Sequence, residues 1–152
     1  QDLCTNGGDV SLISSTEGTL YAEIAALADD GTNRYITIND GTVSNLLSIS
    51  FFNDSSITSR ITIGGVNTYL TSGVVTQTDN FKVALKWGLN NYALWVNGIE
   101  VQTNTSLGVF APNTMSVLEF KRASNIFFGK TKCLAVWKEA LSDQELTELT
   151  TI

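Results

Sequence analysis

The chain contains no histidine. That absence removes Ser-His-Asp and Cys-His catalysis, histidine metal sites, and the residue that most often serves as a base near neutral pH. Cysteine is nearly absent too. Cys4 and Cys133 stand far apart, so the close cysteine pairs of a zinc site are missing. Pro112 is the single proline and Met115 the single methionine. No apolar run approaches the roughly 20 residues that span a bilayer, so membrane insertion is not expected. No basic-then-apolar leader opens the chain. It begins at Gln1, which reads as a processed product or a piece of something longer. Positive charge is scarce: nine Lys and Arg face fifteen Asp and Glu, for a net charge of −6. The basic residues form no cluster. Phosphate contacts need such clusters, so nucleic acid is excluded as a partner and anionic membranes are disfavoured.

What is present suits one packed unit. Hydrophobic residues make up 43% of the 152 positions, enough for a core in a single domain over residues 1–152. Strand patterns dominate. Thr19–Ala28 is apolar on both faces apart from Glu23. In Arg34–Ile38, Ile36 and Ile38 point one way and Tyr35 and Thr37 the other. Leu46–Phe52 sets Leu47, Ile49 and Phe51 on one side, and Ile57–Ile63 and Val66–Leu70 follow. Phe81–Trp87 places Phe81, Val83, Leu85 and Trp87 on one face and both its lysines on the other. Tyr92–Val96 runs back, and Asn97-Gly98 predicts a type I′ hairpin into Ile99–Gln102. Thr103–Asn113 reads as a long loop, with Met115–Phe120 and Phe128–Trp137 as the last strands. One helix is predicted: Ser142 and Glu145 make a capping box, Asp143 adds charge to its first turn, and Leu141, Leu146 and Leu149 form an apolar stripe. Ten to twelve short strands with turns every 8–12 residues predict an all-β, two-sheet antiparallel sandwich sealed by a short C-terminal helix.

Three segments carry a resemblance. "FKVALKWGLNNYALWVNGIEV" resembles the strand–turn–strand and Asn-Gly hairpin of laminin-G-like and pentraxin-like jelly rolls. "FFGKTKCLAVWKEALSDQELTELTT" resembles that group's closing strand and helix, and "STEGTLYAEIAAL" its first core strand. Together they cover about Ser15–Thr151. The resemblance implies a laminin-G-like, concanavalin A-like jelly roll of the kind found in Bacteroidetes surface proteins and bacteriophage tail or fibre proteins. It further implies a lectin-like adhesion module that is extracellular, on a cell surface or on a virion. In a jelly roll the first and last strands often lie side by side. A Cys4–Cys133 disulfide is then conceivable, beside two unpaired thiols.

Candidate chemistry is sparse. The superfamily's glycoside hydrolases need two carboxylates together on a strand. Here Glu23 and Glu119 each stand alone, and Asp143 and Glu145 are accounted for by capping, so no enzyme is expected. Jelly rolls of this group often bind calcium, which wants six to eight oxygens. Asp29, Asp30 and Asn33 are the candidate ligands, against the plainer reading that Asp29–Asn33 is a turn. Sugar recognition stacks a ring on an aromatic face. The candidates are Tyr35, Tyr69, Trp87, Tyr92 and Trp95, with Tyr35 and Tyr69 favoured for the surface and the tryptophans read more readily as core.

These readings converge on a non-catalytic carbohydrate-binding or adhesion module for a glycan or cell-surface polysaccharide, carried by a larger surface or tail protein. The alternative is a structural virion or oligomerisation domain binding protein through sheet edges and the 103–113 loop, with a homo-oligomer as one form. A glycanase or lyase is a third reading.

Overall fold

The computed structural model describes residues 2–5 and 7–152. In chain order the strands are β1 (Gly18–Ala26), β2 (Arg34–Asn39), β3 (Leu46–Phe51), β4 (Ser56–Ile63), β5 (Val66–Val74), β6 (Phe81–Trp87), β7 (Tyr92–Val96), β8 (Ile99–Asn104), β9 (Val117–Glu119), β10 (Lys121–Arg122), β11 (Asn125–Ile126) and β12 (Gly129–Trp137), followed by α1 (Asp143–Thr150). One five-stranded sheet has the order β12-β1-β6-β7-β8 and the other β5-β4-β3-β2-β9. Every strand pairing within them is antiparallel. This is the two-sheet jelly-roll sandwich, with its C-terminal helix, that the strand spacing predicts.

Alternation decides which side chains enter the core. Leu20, Ala22 and Ile24 of β1 and Val83, Leu85 and Trp87 of β6 meet Ile36 and Ile38 of β2, Leu47, Ile49 and Phe51 of β3, and Ile57 and Ile61 of β4. Phe51 packs on Phe81 and Phe127, each with ring centroids 6.2 Å apart. Full burial of each such side chain contributes roughly 1.5–3 kcal/mol. The Asn97-Gly98 hairpin has φ of 49° and 82°, the positive pair a type I′ turn requires.

A second, smaller apolar cluster lies outside the first sheet. Leu146 of α1 is fully buried there with Tyr21, Ala84, Ala93 and Trp95. The capping box forms as read from Ser142 and Glu145. Lys86 Nζ reaches Asp143 at 2.7 Å and ties the start of the helix to β6. Both cysteines are free thiols. Cys4 lies against Leu118 beside β9, while Cys133 pairs with Glu23 across the β1–β12 ladder of the other sheet.

Differences from the sequence reading sit at edges. β5 extends past Leu70 to Val74. The last strand before the hairpin is only Val117–Glu119, because Phe120 turns into β10–β11, a two-stranded hairpin with no alternating signal to announce it.

Candidate functional site

The outer face of the β2–β5 sheet is polar, and cross-strand registers order it. The pairs Tyr69↔Arg60, Thr37↔Ser48 and Thr37↔Glu119 run across the sheet from β5 to β9. The Ser48 hydroxyl accepts from the Arg60 amide at 3.1 Å, closing the row between β3 and β4. A flanking row carries Tyr35, Ser50, Thr58 and Thr71. Most of these small polar groups are buried although they point away from the core. The β10–β11 hairpin leans over them: the Thr37 hydroxyl donates to the Lys121 carbonyl at 2.9 Å.

Two arginines converge on this face. Arg60 projects from β4 and lies 5.6 Å from the Tyr69 ring centroid; Arg122 descends from β10 to 5.8 Å above Tyr35. Phe52 packs edge-on against both tyrosines, at 6.2 Å each. The Arg60 guanidinium donates to the Asn67 amide oxygen at 3.1 and 2.8 Å, a neutral partner that leaves its charge uncompensated. Arg122 Nε is buried with no hydrogen-bond partner among the described residues. Neither arginine forms an ion pair among the described residues, whereas Arg34, Lys86, Lys121 and Lys132 all do. Burial raises the Tyr35 hydroxyl above its ordinary value, opposed by the nearby charges of Arg122 and Arg60.

A groove adjoins Arg122. Thr37, Asn39 and Leu46 line its floor, with Gly41–Val43 on one side and Glu119 and Lys121–Ala123 on the other, around a volume of about 160 Å³.

The five aromatic candidates divide. Tyr69 is 42% exposed on the polar face, as expected for a surface ring. Tyr35 shares that face but is 2% exposed, because Arg122 and Phe52 cover it. Trp87 is fully buried in the main core and donates to the Ser14 carbonyl. Tyr92 is buried as well; its hydroxyl donates to the Gly108 carbonyl at 2.8 Å, and burial pushes it up to about 12. Trp95 does lie outside its sheet, but α1 covers it. Trp87, Tyr92 and Trp95 are therefore packing residues, and the structure corrects their assignment to a ligand surface. Arg60 and Arg122 escaped the sequence reading. Arg60 alternates with Thr58 and Thr62 and could have been placed beside Tyr69. Arg122 sits in a segment with no pattern.

The proposed cation loop does not fit its ion. The Asp30 carboxylate accepts from Arg34 at 2.8 Å and from the Thr32 amide, and these partners hold its pKa down to about 2. Asp29 accepts from the Ser55 hydroxyl and the Gln77 amide, and Asn33 caps the Asn53 amide. The three side chains knit loops together, and a cation there would face the Arg34 guanidinium. Among the described residues no three His, Cys, Asp or Glu side chains gather in a metal-binding group.

With that geometry in view, solved structures give the fold its setting. A Ruminococcus gnavus IT-sialidase CBM40 bound to α2,3 sialyllactose superposes with a TM-score of 0.72 at 17% identity, over 100% of this chain and 97% of that one. What is shared is the two-sheet jelly-roll architecture. A heptameric SAP-like pentraxin from Limulus polyphemus gives 0.70 at 15% identity, over 94% of this chain and 72% of that one. A leech intramolecular trans-sialidase complexed with 2,7-anhydro-Neu5Ac gives 0.67 at 21% identity, over 91% of this chain but 24% of that one. No family model and no curated protein matches the chain. At these identities the likeness is one of architecture.

Proposed function

We propose that the chain is a non-catalytic carbohydrate-binding module that captures an acidic sugar on the outer face of the β2–β5 sheet. One observation carries this reading: in an acidic protein, two guanidiniums share one polar face and neither has a carboxylate partner. Arginine's planar fork matches a carboxylate. A sugar acid placed between Arg60 and Arg122 would take up spare guanidinium donors and lay its ring beside Tyr69. The CBM40 neighbour bound to sialyllactose supports a sugar of that kind. The reading keeps the extracellular setting, on a cell surface or virion within a larger adhesion or tail protein.

Calorimetry with α2,3-sialyllactose and lactose tests it. Binding of sialyllactose alone is expected, and Arg60→Ala or Arg122→Ala should each weaken it about 10- to 100-fold, the value of a charge-assisted hydrogen bond. EDTA should leave it intact. Equal binding of lactose, or full affinity in both variants, would refute the assignment.

A further inference from the structure

The groove beside Arg122 has a built wall that the arginine pair does not use. Asn39 is buried on its floor. Its Nδ2 donates to Glu119 Oε1 at 3.1 Å and to the Thr37 hydroxyl at 3.2 Å, while its Oδ1 accepts from the Gly41 amide at 2.8 Å. Every polar atom of Asn39 is thus engaged, and one of those bonds holds Glu119 in place. Lys121 Nζ lies 3.4 Å from Glu119 Oε2. A carboxylate offers about four lone-pair sites and an ammonium three donors. With one partner on each oxygen, Glu119 retains acceptors, and Lys121 retains donors. An acceptor held by Asn39 beside an ammonium complements two adjacent hydroxyls, each of which both donates and accepts. The groove's volume of about 160 Å³ is well above the roughly 10–15 Å³ that one water needs, room for one hydroxylated branch. It opens against Arg122, so such a branch belongs to the same sugar whose carboxylate that arginine holds.

We propose that this groove is a second subsite that reads a vicinal diol on the acidic sugar, with Glu119 accepting and Lys121 donating, and that Glu119 sets specificity for the hydroxylated side chain. The proposal rests on the acidic-sugar reading. For a sialic acid that diol lies in its three-carbon hydroxylated tail. A second uncompensated anion in the groove is not needed: the carboxylate goes to the guanidiniums, the diol to the Glu119–Lys121 pair.

The experiment crosses two ligands with two proteins. The ligands are the methyl α-glycoside of N-acetylneuraminic acid and the same compound shortened by mild periodate oxidation and borohydride reduction, which removes the vicinal diol. The proteins are wild type and Glu119→Gln, with circular dichroism confirming that the variant folds. The intact ligand should lose roughly tenfold in affinity on Glu119→Gln. The shortened ligand should bind both proteins equally, at about the weakened level. Equal losses for both ligands, or no loss for either, would overturn the diol assignment. If neither ligand binds wild type, the acidic-sugar reading itself fails, a result distinct from either of those.

Discussion

At the scale of single residues, the same chemical type plays opposite parts in this molecule. Arg34 is buried with each of its three nitrogens answered, by Asp30, the Thr32 carbonyl and the Phe128 carbonyl. Arg60 and Arg122 lie over tyrosine rings and are left with spare donors. The difference is one of partners rather than exposure alone, and partners are set by tertiary neighbours. The same holds for tryptophan: Trp87 fills the space that a glycine leaves for it. A Cβ at Gly18 would overlap the Trp87 ring and press on the Trp137 carbonyl. Gly18→Ala should therefore destabilise the domain by roughly 1–3 kcal/mol through overpacking, read as a lower midpoint in urea. An unchanged midpoint would mean that the β1–β6 pair yields more easily than its packing suggests.

Among elements, the strands were legible and their covers were not. Alternation in Arg34–Ile38, Leu46–Phe52 and Phe81–Trp87 sorts core from surface because a strand's two faces differ by one residue. It placed Tyr69 at the surface, where it is 42% exposed, but the expectation of a surface ring at Tyr35 is corrected: that ring is on the polar side yet buried. Alternation cannot report what lies over a face. Trp95 sits on an outward side that α1 then closes, and Tyr35 on one that Arg122 roofs. The hairpin β10–β11 has only two residues per strand, too few for any period to register, so the arginine it delivers was invisible. The capping box at Ser142 and Glu145 was readable since it depends on residues three apart. Ser142→Ala removes the cap and should cost about 1 kcal/mol, or some 2–4 °C in Tm for a chain of this size. Sugar affinity should not change, because α1 packs on the opposite sheet; a matching loss of affinity would tie the helix to the site.

Across the whole molecule, stability should follow its carboxylates. Asp30 is depressed chiefly by Arg34, Asp54 by the Ser56 hydroxyl and Glu145 by the Ser142 hydroxyl. Each has a folded pKa below its unfolded one. Their contribution is therefore complete above the ordinary carboxylate range and is lost as pH falls below it, for Asp30 toward about 2. Tm should stay flat from pH 7 to 5 and decline below about pH 4. With no histidine in the chain, no inflection is expected near pH 6; one there would point to a titrating group other than these carboxylates.

The seat of α1 on the first sheet has a practical corollary. It makes the sandwich two-sided, with its own helix seated on the outside of one sheet and the polar, arginine-bearing face on the other. Coupling the protein to a bead or sensor chip through the helix side would leave the arginine-bearing surface turned toward solution, whereas random attachment through Lys121 would block it.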